Sequence, residues 1–205
     1  MHRSIAVDGG QKFSIGTKTN GSDPIGVLFD SMKKFAVFCL VNLHHAAWSA
    51  ERNGAVHVWE SANGGIVYTL SEHKDGITGL AWRPDGGVLA TTGEDGKLVL
   101  WSMDDGFPLR AVKAHEKKSS DRYTRLTGAL DVAYLPNGGL FTSGRDRALR
   151  LWTTDGAKLK SLPEIPDLPL AATVTHDGSK ALTGHRDGRV LLWDLKSGSS
   201  TELPR

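Results

Sequence analysis

Val88-Leu-Ala-Thr-Thr-Gly-Glu-Asp-Gly-Lys-Leu-Val-Leu-Trp101 decides how this chain is read. Aliphatic and β-branched residues alternate on both sides of Asp95-Gly96, and Asp-Gly supplies the positive φ of a tight hairpin turn. The stretch is therefore two strands and the turn between them. It recurs as Gly139-Leu-Phe-Thr-Ser-Gly-Arg-Asp-Arg-Ala-Leu-Arg-Leu-Trp152 and as Lys180-Ala-Leu-Thr-Gly-His-Arg-Asp-Gly-Arg-Val-Leu-Leu-Trp193. In each copy an acid (Asp95, Asp146, Asp187) stands six residues before the tryptophan, and a threonine (Thr91, Thr142, Thr183) stands four before the acid. A weaker copy ends at Trp59, with Asn53 for the acid and Ser49 for the threonine. A degenerate one is read at Ile25-Gly-Val-Leu-Phe-Asp30, with Asp23 six residues before Phe29.

Another strand precedes each copy and ends in a turn, as in Ile77-Thr-Gly-Leu-Ala-Trp-Arg-Pro-Asp-Gly86. A fourth follows the tryptophan, as in Pro108-Leu-Arg-Ala-Val112. No helical period competes with this reading. The tryptophans that end the repeats, Trp59, Trp101, Trp152 and Trp193, lie 42, 51 and 41 residues apart. Four strands per unit at this spacing, with one Trp-Asp pair surviving at Trp193-Asp194, resemble the WD40 repeats that form β-propeller blades. The resemblance is strong over residues 45–205 and weak over 1–44. It implies an all-β, WD40-type propeller of four to five four-stranded blades in an incomplete or fragmentary ring. The expected single domain, 1–205, has blades near 1–35 (degenerate), 36–70, 71–112, 113–162 and 163–205.

Composition narrows the function classes. Hydrophobic content of 39% and charged content of 23% are those of a globular domain, and a formal charge of +2 gives no global field for nucleic acid or anionic lipid. Cys39 is the only cysteine, so an internal disulfide or a multi-thiolate zinc site is excluded. It lies in Phe35–Leu43, an apolar run too short to cross a bilayer as a helix. The first ten residues lack the apolar core of a secretory signal, so a cytoplasmic protein is expected.

His73, Thr91 and Asp95 are the residue types of a hydroxyl–imidazole–carboxylate triad. The repeat argues otherwise, because a folding device recurs from unit to unit where a catalytic site need not. The resemblance implies one internal hydrogen-bond network of His73, Thr91, Asp95 and Trp101, and another of His115, Thr142, Asp146 and Trp152. The last unit offers Thr183, Asp187 and Trp193, but its first loop, Pro163-Glu-Ile-Pro-Asp-Leu-Pro169, has no histidine. Its network is expected to be incomplete.

Partner-binding candidates follow from the same resemblance, since propellers present the turn between strands two and three. Arg52, Glu94, Arg145 and Arg186 precede the turn acids there. Three arginines of four would suit an acidic peptide or a phosphate group if they converge. The longest inserted loop, Lys113–Arg125, adds Tyr123 and Arg125. His44, His45 and His57 lack carboxylates or cysteines at supporting spacing, so no metal is expected. The sequon Asn20-Gly-Ser22 has no secretory signal to support it. With no phosphate loop, dinucleotide fingerprint, nucleophile elbow or Cys-x-x-Cys-His, no cofactor is implied. The expected function is a non-catalytic interaction scaffold with a protein or peptide partner. RNA or phosphopeptide binding through the arginines is the alternative, and an enzyme the least favoured. Seven blades of about 42 residues need about 290 residues. The chain is therefore a small five-bladed ring, an incomplete ring completed by self-association or another chain, or a fragment.

Overall fold

In the computed structural model, backbone alone is described over residues 3–7, 11–15, 25–29, 35–41 and 45–49. Full structure covers 54–60, 65–116, 128–163, 165 and 167–204. Among these residues every regular element is a strand. They are β1 (Arg3–Val7), β2 (Gln11–Ile15), β3 (Ile25–Phe29), β4 (Phe35–Val41), β5 (His45–Ser49), β6 (Ala55–Glu60) and β7 (Ile66–Ser71). There follow β8 (Ile77–Trp82), β9 (Val88–Gly93), β10 (Lys97–Ser102), β11 (Pro108–Lys113), β12 (Ala129–Tyr134), β13 (Leu140–Gly144), β14 (Leu149–Trp152) and β15 (Lys158–Ser161). The last are β16 (Pro169–Val174), β17 (Lys180–His185), β18 (Val190–Asp194) and β19 (Ser200–Glu202).

Strands β8–β11, β12–β15 and β16–β19 each form a four-stranded antiparallel meander in chain order. The N-terminal part differs from the expected two units divided at residue 35. Strand β3 pairs antiparallel with β4, from Ile25 opposite Cys39 to Phe29 opposite Phe35, and so joins β4–β7 in a five-stranded sheet. Only five residues separate the two strands, which makes a hairpin the short local solution. Among the described residues, β1 and β2 pair only with each other.

The first strands β4, β8, β12 and β16 pack successively against one another, and the sheets fan outward from them. Three apolar cores fill the gaps. Val56, Val58 and Leu70 meet Leu80, Leu89, Val99 and Trp101. Ala90, Leu98 and Leu100 meet Val132, Leu140 and Trp152. Phe141, Leu149 and Leu151 meet Ala181, Leu191 and Trp193. Each core thus takes an indole from the later sheet. Full burial of an aliphatic side chain contributes ~1.5–3 kcal/mol, so these seams carry most of the stability.

A buried indole N–H needs an acceptor. Trp101 Nε1 donates to Thr91 Oγ1 at 2.9 Å, and the hydroxyl stands 2.8 Å from His73 Nε2. The Asp95 carboxylate can only accept, so the imidazole carries its proton on Nδ1 and Nε2 takes the proton of the hydroxyl. From there it donates to Asp95 Oδ1 at 3.0 Å. Asp95 also accepts the amides of Lys74 and Lys97, both at 3.0 Å. The next unit repeats the relay: Trp152 to Thr142 at 2.9 Å, Thr142 to His115 at 2.9 Å and His115 to Asp146 at 2.8 Å. Arg150 adds an ion pair to Asp146 at 2.8 Å. Burial by itself raises the Asp95 and Asp146 carboxyls, but the histidines and the other donors outweigh it and hold both below the ordinary carboxylate range. Burial holds the His115 imidazole below its usual value against the pull of Asp146.

The last unit corrects the expectation that it lacks an imidazole. Trp193 donates to Thr183 at 2.9 Å, and Thr183 Oγ1 lies 2.8 Å from His185 Nε2. His185 Nδ1 then donates to the Asp167 carbonyl at 3.2 Å. His185 occupies the repeat position of Gly93 and Gly144. Those glycines are required: a Cβ on Gly93 would stand 2.8 Å from His73 Nδ1, and one on Gly144 only 2.1 Å from His115 Nδ1. Conversely, Ile165 stands where the loop histidine stands elsewhere. Its amide bonds the turn carbonyl of Arg147, as the His115 amide bonds that of Gly96, and Ile165 is fully buried. The pair His and Gly has been exchanged for Ile and His, and the imidazole reaches the equivalent hydroxyl from the second strand instead of the loop. Asp187 holds the Arg189 guanidinium and amide at the surface.

Asp131 supplies a further buried acid. It sits at a bulge near the start of β12, accepts the Val132 amide at 2.9 Å, and accepts the Ala172 amide of β16 at 3.2 Å. Burial pushes its carboxyl up to about 6, with the two amides opposing.

Three outcomes follow. Asp95→Ala and Asp146→Ala each lower unfolding free energy by about 1–3 kcal/mol, the cost of orphaning buried donors, and Asp187→Ala lowers it less; chemical denaturation compares them. Ile165→His alone crowds one hydroxyl with two imidazoles, and His185→Gly alone strands Thr183. The double variant recovers at least ~1 kcal/mol relative to the sum of the singles in a double-mutant cycle. Asp131 is raised above its unfolded value, so its contribution is full below about pH 4 and lost as pH rises through about 6. That loss is on the order of 2–3 kcal/mol. Asp131→Asn flattens the pH 4–6 slope of stability, whatever its own cost.

Candidate functional site

One end of the sheets gathers three recurrent features. The turn residues Glu94, Arg145 and Arg186 donate their amides to the carbonyls of Gly76, Gly128 and Leu168. Those carbonyls immediately precede the first strands β8, β12 and β16. Each of these strands then bulges, between Ile77 and Gly79, Ala129 and Asp131, and Pro169 and Ala171. The bulges place Thr78, Leu130 and Leu170 beside the turn residues. Because β8, β12 and β16 pack together, these turns and bulges are brought to one surface.

The turns share a hydrogen-bond design. Gly96, Arg147 and Gly188 donate back across the turn to residues 93, 144 and 185. Asp95, Asp146 and Asp187 accept the amide two residues on. Arg147 adopts φ 58° where the other two turns have glycine at φ 78° and 84°. The left-handed conformation costs a side-chain-bearing residue ~1–2 kcal/mol, so Arg147 is held there by the turn's own bonds.

The charges on this surface are matched locally. Arg145 reaches Glu94 of the preceding sheet at 3.4 Å, and its buried Nε has no hydrogen-bond partner among the described residues. Arg186 reaches Asp167 at 3.3 Å yet keeps 69% of its side chain exposed. Glu94 and Arg145 thus bridge adjacent sheets, and Arg186 is the guanidinium turned to solvent. Leu170 is 60% exposed beside it, and Thr78 donates to the Ala129 carbonyl at 2.9 Å. Arg52, Tyr123 and Arg125 lie outside the described residues, as do Asn20, Asn53 and His44 and the side chains of Cys39, His45 and Ser49. The bulge residues Thr78, Leu130 and Leu170 were not among the sequence candidates, although aligning Ile77-Thr-Gly, Ala129-Leu-Asp and Pro169-Leu-Ala ahead of each repeat would mark them.

The triad-like set is not arranged for attack. Thr91 has no exposed surface, its oxygen is capped by an indole N–H, and its proton is committed to His73. No group of three or more metal-ligating side chains occurs among the described residues. His57 lies 3.2 Å from Thr69 and sets its ring edge-on to Trp59. Among the described residues no helix is long and apolar enough to cross a membrane.

Comparison with known proteins agrees with this geometry. The family "WD domain, G-beta repeat" matches residues 64–102 and 120–153. The chain is 24% identical over 176 residues to the pre-rRNA-processing protein crb3/ipi3 of Schizosaccharomyces pombe, covering 80% of this chain and 39% of that protein. It is 24% identical over 183 residues to the human angio-associated migratory cell protein, covering 87% and 39%. It is 31% identical over 150 residues to bovine coronin-7, covering 70% and 16%. The chain therefore spans about two fifths of the length of the first two of these relatives. The β-propeller domain of Cps50 (Swd1) from Myceliophteria thermophila superimposes with a TM-score of 0.64 at 18% identity, over 82% of this chain and 58% of that one. Repeat, sheet order and relatives converge: the chain belongs to the WD40-repeat β-propeller family.

Proposed function

We propose that this chain is a non-catalytic scaffold that holds an extended segment of a protein partner against the surface formed by Thr78, Leu130, Leu170, Glu94, Arg145 and Arg186. The observation that carries the reading is the convergence of three bulged first strands with three turn residues at one end of the sheets. The surface combines an exposed aliphatic side chain, Leu170, with an exposed guanidinium, Arg186. That pairing suits a peptide bearing an apolar anchor next to an acidic group. The committed hydroxyls of Thr91 and Thr142 support a structural use of the triad-like residues. Members of the family are generally non-catalytic scaffolds.

The test is affinity capture with the intact chain, in parallel with a Leu170→Asp, Arg186→Glu chain, both checked for unchanged melting. Partners retained by the parent and lost at least ~10-fold by the variant support this surface. A partner set indifferent to both changes counts against it. Binding that falls steeply with salt points instead to a phosphate-rich ligand on the arginines.

A further inference from the structure

The last strand of each sheet lies on the outer rim of the array, because the first strands pack together and the sheets fan outward from them. Three of these outer strands, β7, β11 and β15, are built alike, with a bulge at one register position. Trp59 stands opposite Ile66 and Val58 opposite Tyr68, Trp101 opposite Pro108 and Leu100 opposite Arg110, and Trp152 opposite Lys158 and Leu151 opposite Lys160. The extra residues are Val67, Leu109 and Leu159, all aliphatic, with 39, 61 and 66% of their surface exposed. In β19 the register runs on from Trp193 opposite Ser200 to Leu192 opposite Thr201, and no aliphatic stands in that strand. A scattered exposed aliphatic is ordinary. One delivered by the same bulge in three outer strands is a repeated feature with no use in the core.

A second repeat holds neighbouring outer strands together. The residue after each bulge lies against the glycine in the last turn of the next sheet. A Cβ on Gly106 would stand 2.5 Å from Tyr68 Cδ1, one on Gly156 3.1 Å from Arg110 Cδ, and one on Gly198 3.1 Å from Lys160 Nζ. Phe107 follows Gly106 and is 70% exposed. Gly156 comes three residues before Leu159, and Arg110 follows Leu109, so their contact sets the two leucines on adjoining parts of the rim. Arg110 and Lys158 are exposed beside them, with Lys160 half-buried, and neither β11 nor β15 contains an acid. Arg110 makes only a loose ion pair, 3.7 Å to the exposed Asp155. An apolar band drawn from separate sheets suits a ligand that lies across the blades, held by side chains instead of pairing along one strand edge. Asp104 and Asp105, exposed beside Phe107, repel anionic lipid headgroups, so the basic groups point to an acidic protein segment. We infer that the rim formed by Phe107, Leu109, Leu159, Arg110, Lys158 and Lys160 docks an amphipathic helix of a partner protein, apolar on one face and acidic along its flank. Outer strands keep this place however many further blades complete the ring.

The test selects a displayed library of single-helix peptides against the intact chain. Recovered peptides are expected to carry apolar residues at i, i+3, i+4 and i+7 with glutamate or aspartate alongside. Leu109→Asp with Leu159→Asp, at positions already exposed, weakens their binding at least ~10-fold and leaves the near-ultraviolet dichroism of the tryptophans unchanged. Arg110→Glu with Lys158→Glu keeps the apolar band and weakens binding most at low salt. The Leu170→Asp, Arg186→Glu chain binds the peptides as the parent does, which separates this rim from the surface of Leu170 and Arg186. Peptides without an apolar stripe and an acidic flank overturn the inference. So does affinity indifferent to the rim substitutions, or lost with Leu170 and Arg186. Flotation of the chain with phosphatidylcholine–phosphatidylserine vesicles that depends on Leu109 and Leu159 assigns the rim to a membrane and overturns it too.

Discussion

The architecture depends on one requirement: a large indole must be buried between two sheets while its N–H finds an acceptor there. Apolar packing alone would accept a phenylalanine. The tryptophan instead ties the seam between sheets to the hydrogen-bond relay within a sheet. Its ring fills the inter-sheet core, and its nitrogen anchors the threonine hydroxyl, which bonds the imidazole and, through it in two units, the turn carboxylate. Packing between sheets and closure of each turn are thereby coupled. The acids profit from this coupling, because the donors converging on Asp95 and Asp146 outweigh the burial that would otherwise favour their protonated forms.

The same rigidity positions the surface proposed to bind a partner. Turn residues are pinned to the carbonyls that begin each first strand, and the bulges that follow re-aim one side chain per blade. The surface is therefore assembled from parts that the fold already holds still. Variation in Thr78, Leu130, Leu170 and the turn residues changes what is presented without touching the relay behind it. The Glu94–Arg145 pair shows what charge counting along the sequence does not reveal about this rim. The two residues lie 51 positions apart but on adjacent blades, where they largely cancel.

The repeat was legible because its signals are local: Asp-Gly turns, alternation, and tryptophans at near-constant spacing. The threonines and acids of two relays were legible for the same reason. Three features were not. His185 was missed because a histidine was sought in the loop, and only the space around residues 93 and 144 reveals that a strand residue can deliver the same ring. Asp131 reads as an ordinary strand acid until β16 is packed over it. The attachment of β3 to β4 depends on pairing between weakly repetitive segments, where no motif marks a partner.

The exchange of His and Gly for Ile and His has a consequence for how such arrays diversify. A crossover between the loop and the second strand of units carrying opposite solutions yields a hybrid with two imidazoles contending for one hydroxyl, or with none. The two solutions are separated by an epistatic barrier inside a single blade. Exchange of whole blades keeps each compatible pair together, and exchange that cuts between loop and second strand does not.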